Sequence, residues 1–240
     1  MKKVVIYSFC FIVSGCGGGG GGHSDAPAKN VSPGGIWKGT VTYTDTGETG
    51  QIIGIVTESG ELRFVSNDSV QSVGNITTSG ANYSGTITEY APIGQTFGEN
   101  NLAVISGSIS GQISERHQIS GKSEYQGKTL STFTLDYDVA YDTDSSLAAI
   151  QGTYSNATAT LTVNAGQITG QDSDGCTYNG AASVINSSYN AYRITFTAAN
   201  CGQFNGDYSG LGTVTTENNV TSLTFQANSS QYIVTNSLDR

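Results

Sequence analysis

From residue 36 onward, apolar side chains recur at every second position over short stretches. Phe133, Leu135 and Tyr137 alternate with polar neighbours, as do Cys176, Tyr178, Gly180, Ala182 and Val184, then Tyr192, Ile194 and Phe196, and the pairs Leu223/Phe225 and Tyr232/Val234. A period of two gives a strand one buried and one wet face, as antiparallel sheets allow. Turn dipeptides punctuate these runs: Thr46-Gly47, Ser59-Gly60, Ser79-Gly80, Ala165-Gly166, Asp174-Gly175 and Asn205-Gly206. The pattern predicts an all-β chain of two tandem small antiparallel barrel or sandwich modules, built from meandering hairpins. The best helical stretch is 145–151, where Leu147, Ala148, Ala149 and Ile150 follow a cap at Asp144 or Ser145. It is long enough for one or two turns.

That stretch also divides the chain. Four acids, Asp136, Asp138, Asp142 and Asp144, gather before it, and after it the pattern restarts. Gly39-Thr40 near the start of the first part matches Gly152-Thr153 in the second. Ser59-Gly60-Glu61-Leu62 aligns with Ala165-Gly166-Gln167-Ile168, and Asn82-Tyr83-Ser84-Gly85 with Thr177-Tyr178-Asn179-Gly180. The division therefore runs 36–144 and 145–240, with a single sandwich of roughly 200 residues as the alternative. At about 25 cal/mol per Å² of buried apolar surface, modules of this size are marginal alone, so the two are expected to pack together.

The first 35 residues have a different character. Lys2 and Lys3, the apolar run 4–13 and Ser14-Gly15 read as a secretory signal over 1–15, too short to span a bilayer. Val13-Ser14-Gly15-Cys16 resembles the bacterial lipobox, which implies that the signal is cleaved and that Cys16 carries lipid. Two or more acyl chains anchor stably, each methylene adding about 0.8 kcal/mol. Gly17, where an Asp would hold such a protein at the inner membrane, points to the outer one; which of its faces is left open. Residues 16–35 include six consecutive glycines, Gly17 to Gly22, and read as a tether with a reach on the order of 25 Å.

Cysteine usage fits an exported chain. Cys10 leaves with the signal and Cys16 takes the lipid, so Cys176 and Cys201 remain to pair. Closing a loop of about 25 residues contributes roughly 3–4 kcal/mol. A zinc site would need two more ligands, and the only histidines are His23, in the tether, and His117. Without Lys2 and Lys3 the chain keeps eight basic residues against nineteen acidic, a net charge of about −11. Such a surface is unsuited to nucleic acid, whose phosphates are neutralised by Lys and Arg, and serves solubility or a cationic partner.

The Gly-x-Trp-x-Gly-Thr stretch at 35–40, Ser146-Leu147-Ala148-Ala149 and Asp174-Gly175-Cys176-Thr177-Tyr178-Asn179-Gly180, with Cys201 further on, resemble a group of Gram-negative outer-membrane lipoproteins. The resemblance covers most of the mature chain and implies the β-fold and the envelope address; the group carries no assigned activity. A further similarity, to the small barrels of surface lipoproteins that capture host proteins, is one of architecture only.

Catalytic chemistry has few footholds. His117 lies in Ser114-Glu115-Arg116-His117-Gln118 among polar neighbours, as a solvent-facing residue would. No Gly-x-Ser-x-Gly elbow and no Ser-x-x-Lys pair occurs. The acids at 136–144 are the one dense carboxylate group, the minimum for glycoside hydrolysis. Asp142 with Asp144, and Asp172 with Asp174, are weak calcium candidates lacking the full loop spacing; an Asp-Gly hairpin turn explains Asp174 without an ion. No other cofactor is implied. Asn-x-Ser/Thr triplets, such as 75–77 and 219–221, follow from composition. The stretch 89–101 is long for a hairpin and carries Tyr90, Pro92, Ile93 and Phe97, either as a binding loop or as a cap on a barrel end. The expectation is a non-enzymatic, lipid-anchored envelope protein acting by binding or adhesion, toward an envelope or host protein or a glycan. A structural or inhibitor lipoprotein docked on another envelope protein is the alternative, and a hydrolase of envelope or extracellular polymers comes last.

Overall fold

The structure is a computed structural model describing residues 29–98 and 101–240. The stretch read as a signal sequence (1–15), Cys16 and the part of the expected tether up to residue 28 lie outside the described residues. Sixteen strands form two closed antiparallel barrels of eight. The first comprises β1 (Gly35–Tyr43), β2 (Thr49–Val56), β3 (Glu61–Ser66), β4 (Gln71–Ser79), β5 (Asn82–Tyr90), β6 (Val104–Ser114), β7 (Gln118–Tyr125) and β8 (Lys128–Asp138). Each strand pairs with the next, and β8 returns to β1 with Trp37 opposite Tyr137 and Tyr43 opposite Ser131.

An eight-stranded barrel leaves an interior just wide enough for side chains to fill. The inward face of β6 shows how the sequence fits it, since Ile105, Gly107, Ile109, Gly111 and Ile113 alternate large and absent side chains. Gly111 pairs with Gly121 on β7, and Tyr83 lays its hydroxyl over both, donating to the Ser120 carbonyl at 3.3 Å. A methyl group at either glycine would collide with the tyrosine and with backbone. Trp37, fully buried, meets Tyr137 edge-on at 5.3 Å and donates to the Pro33 carbonyl at 3.2 Å.

A 3-10 turn (Val139–Asp142) and one helical turn, α1 (Leu147–Ile150), lead to the second barrel. Ser146, one residue after the expected cap, accepts the Ala149 N–H at 3.0 Å. The second barrel is β9 (Gly152–Ser155), β10 (Ala159–Asn164), β11 (Gln167–Asp172), β12 (Thr177–Val184), β13 (Tyr192–Ala199), β14 (Gly206–Glu217), β15 (Val220–Asn228) and β16 (Ile233–Asp239). Its closure is narrow: β16 meets β9 only through Asp239 and Ser155, reinforced by Asn156, whose amide reaches Asn236 and the Ser237 carbonyl at 2.7 and 3.1 Å. Phe196 stacks on Tyr208 at 5.1 Å within the core. Cys176 and Cys201 are joined, with a Cα separation of 4.7 Å, at the open ends of the β12–β13 hairpin.

Gly39-Thr40 and Gly152-Thr153 both fall on the first strand of their barrel, and Ser59-Gly60 and Ala165-Gly166 both turn the second strand into the third. The third alignment fails, because Tyr83 lies on the fifth strand of its barrel and Tyr178 on the fourth.

The barrels pack along one seam. Ile36, Ile55, Tyr141, Ala191 and Leu211 form its apolar part. Its polar part centres on Glu61, whose two oxygens accept a forked pair of bonds from Arg193 at 2.8 and 2.5 Å, and one from Arg63 at 3.3 Å. Arg63 also donates to Asn228 at 2.5 Å, and Gln226 donates to the Phe64 carbonyl at 2.9 Å. Burial alone would raise the Glu61 carboxyl; the two guanidiniums outweigh it and hold it below the usual glutamate range.

Candidate functional site

The sequence candidates are scattered rather than gathered. Asp142 is paired with Arg116 and accepts the Tyr137 hydroxyl at 2.8 Å, whereas Asp144 is exposed. Asp172 is a turn organiser, accepting the N–H groups of Asp174 and Cys176 at 3.0 and 2.9 Å and the Tyr178 hydroxyl at 2.6 Å. Those donors outweigh the opposing effect of burial and hold its carboxyl below the usual aspartate range. Asp174 belongs to the hairpin turn, with Gly175 at φ +90°. Thus neither pair is assembled as a calcium site, and among the described residues no three His, Cys, Asp or Glu side chains are placed to hold a metal ion. Asp136 bonds Gln118 at 3.1 Å, and Asp138 pairs with Lys38 and caps the Ala140 N–H at 2.9 Å, both on the outer face of β8. His117 is exposed in the β6–β7 turn.

The long loop resolves into unlike parts. Tyr90 is not exposed: it ends β5, faces outward and is buried at the seam, where Asn228 bonds its hydroxyl and Arg63 lies nearby. Its even position on a strand whose odd positions point inward explains the difference. Pro92 and Phe97 are half-buried, with Phe97 bridged to Leu102. Ile93 is bare, 87 % exposed, and Leu102 and Val104 are exposed at about two-fifths of their surface.

Beneath that loop lies a group that alternation along β5 could have revealed. Tyr83, Ile87 and Glu89 fall on the same inward face, so a carboxylate points into the end of the first barrel. Ser72 is its cross-strand neighbour on β4. Ser66, Ser72, Ser123 and Ser131 line the same cavity; these four serines are nearly half of the nine buried polar or charged residues among those described. Ser123 and Ser131 bond each other at 2.9 Å. Tyr43 donates to Ser66 at 3.3 Å and to Asp68, in the β3–β4 turn, at 3.1 Å. Burial raises the Glu89 carboxyl above the usual glutamate range, with only the Ser123 hydroxyl acting against it. The ion pairs among the described residues, Lys38–Asp138, Arg63–Glu61, Arg116–Asp142, Lys122–Glu124 and Arg193–Glu61, leave Glu89 without a cation.

The chain enters this barrel at the opposite end. Val31 donates to the Gly80 carbonyl at 3.0 Å and Asn30 accepts the Gly80 N–H at 2.9 Å, in the β4–β5 turn. From Tyr83 to Glu89 the strand climbs roughly 20 Å. The cavities inside the two barrels measure about 30 and 40 Å³, well below the roughly 300 Å³ and more that a drug-sized ligand fills. Comparison of the chain with protein families, with curated proteins and with solved structures finds no match.

Proposed function

We propose that this chain is an exported, lipid-anchored binding module of the bacterial outer membrane, non-enzymatic, which offers the loop end of its first barrel to a partner. The lipobox-like 13–16 and the resemblance of its motifs to Gram-negative lipoproteins support the address. The observation that carries the binding reading is polarity along the barrel. The chain comes in from the tether beside Gly80, and bare Ile93 with its apolar neighbours Leu102 and Val104 crowns the other end. Ile93 is the most exposed large apolar side chain among the described residues, ahead of Val139 at 75 %, and it sits on a long loop held by a rigid scaffold, where binding residues concentrate. The small interior volumes favour recognition by an outer surface over enclosure of a polymer substrate.

Two variants test the reading. Cys16→Ser is expected to move the protein from the membrane fraction to the soluble one; unchanged fractionation would overturn the anchor. Affinity capture from intact cells and from host fluid, with the wild-type chain and Ile93→Asp as paired baits, is expected to yield a partner held by the first and lost by the second. Equal retention would remove the loop from the interface.

A further inference from the structure

The polar end of the first barrel has no structural reason to be charged. Other inward positions of β5 carry Tyr83 and Ile87, and a leucine at 89 would fill the space without desolvating a carboxylate. Removing an ionised group from water without a counter-charge is expensive, and proteins normally avoid it. The geometry points to this mouth as a receptor for a single primary ammonium group, with Glu89 as its counter-ion and the ring serines as its remaining hydrogen-bond acceptors. This rests on the binding reading above and names the chemistry of the partner.

Size, donor count and charge lead to that ligand. A cavity of about 30 Å³ holds a water-sized group, since a water needs roughly 10–15 Å³ of such space. A planar guanidinium or a sugar ring exceeds it. An ammonium presents three N–H donors and no acceptor, matching one carboxylate and the hydroxyl oxygens of Ser72, Ser123 and Ser131. A calcium ion would ask for six to eight oxygens, several of them charged, whereas this cavity offers one carboxylate. Of the residues lining the cavity the other titratable one is Tyr43, bonded to Asp68; the turns and strand ends around this end also carry Asp45, Glu48, Glu124, Tyr125 and Lys128, none of which lines the cavity. Glu89 keeps partial solvent contact, so the mouth can be reached from outside. The acidic surface of the mature chain favours the approach of a cation, the cavity walls are otherwise apolar, with Val41, Val70 and Ile87 among them, and bare Ile93 belongs to the β5–β6 loop at the same end of the barrel. A lysine side chain, with a long apolar stem and an ammonium tip, suits an apolar rim above a carboxylate floor.

The experiment follows the Glu89 carboxyl carbon by NMR in the full mature chain in detergent, titrated with methylammonium chloride and separately with Nα-acetyl-lysine methylamide. Sodium, potassium and tetramethylammonium chlorides at equal ionic strength are the controls. A saturable shift is expected for both ammonium probes, in the millimolar range for the two heavy atoms of methylammonium, and tighter for the lysine analogue. The Glu89→Gln variant, followed by the side-chain amide of residue 89, is expected to bind at least tenfold more weakly. Tighter binding of methylammonium would instead assign the site to free small amines and overturn the lysine partner. No saturation, equal binding by Glu89→Gln, or the same response to sodium, potassium or tetramethylammonium would overturn the ammonium site altogether. Partner capture that depends on Ile93 but not on Glu89 would sink this inference while leaving the loop interface standing.

Discussion

Replacing Glu61 by Gln removes the carboxylate that pairs with Arg63, two residues along β3, and with Arg193 across the seam. Breaking a buried pair by deleting one partner costs about 3–5 kcal/mol, because the surviving charge is left uncompensated. The two arginines do not contribute equally. The Arg63 side chain is 9 % exposed, so its loss belongs near that range. The Arg193 side chain is 34 % exposed, and solvent screening reduces its share toward the 0–1 kcal/mol of a surface pair. Asn228 still bonds Arg63 at 2.5 Å, which places the total near the lower end, about 3 kcal/mol. With a urea slope of about 2–3 kcal/mol/M, the unfolding midpoint should fall by roughly 1 M. Trp37, the single tryptophan and fully buried in the first barrel, reports that barrel by fluorescence, and far-UV circular dichroism reports both. In the wild type the two transitions are expected to coincide, as two packed barrels unfolding together require. The Glu61 carboxyl sits below its ordinary value, so its stabilisation is present above about pH 4.5 and is lost as the pH falls through the lower folded value. The variant's deficit should therefore shrink on acidification. A midpoint shift under 0.2 M, or a deficit that grows at low pH, would refute the seam's energetics.

Other expectations follow from the barrel interiors. Glu89→Gln should stabilise the protein at neutral pH by on the order of 1–3 kcal/mol, because the carboxylate is desolvated with no counter-charge and a neutral amide is not. A raised folded pKa means that the wild type gains stability as the pH drops, so the gap between variant and wild type should close on acidification; urea midpoints across pH would show it. Replacing Cys176 and Cys201 together by Ser should cost roughly 3–4 kcal/mol, and thiol labelling of the intact protein should find neither sulfur. Gly121→Ala should displace Tyr83, whose hydroxyl occupies the space of the new methyl; a lowered melting temperature and a changed near-UV tyrosine signal would report it.

What the sequence made legible was local. Alternation over 132–137 and 192–196 marked strand faces correctly, and Gly47, Gly60, Gly80, Gly166 and Gly175 sit at positive φ in turns, where a side chain would be strained. Cysteine usage led to the Cys176–Cys201 bridge. Closure was not legible, because β1 pairs with β8 across some ninety residues with no local signal. The seam was hidden for the same reason, since Glu61 and Arg193 lie 132 residues apart. Glu89 was within reach: its parity with Tyr83 and Ile87 marks it as inward, but in sequence it looks like the first residue of a polar loop. Asp172 was assigned to a fragment of an ion site, whereas its oxygens serve the turn that presents Cys176. The helix cap moved by one residue because the helical turn begins at Leu147, which puts Ser146 at the cap position with an extended backbone and its hydroxyl accepting the Ala149 N–H.

The proposed function requires that the protein meet its partner through the loop end of the first barrel, opposite the end where residues 30 and 31 join it. A photo-crosslinking residue at position 93, and separately at position 117 in the exposed turn at the end where residues 30 and 31 join the barrel, tests it in the full-length protein on intact cells. A discrete adduct is expected from position 93 and none from position 117. Adducts from position 117 alone, or from neither position, would contradict it.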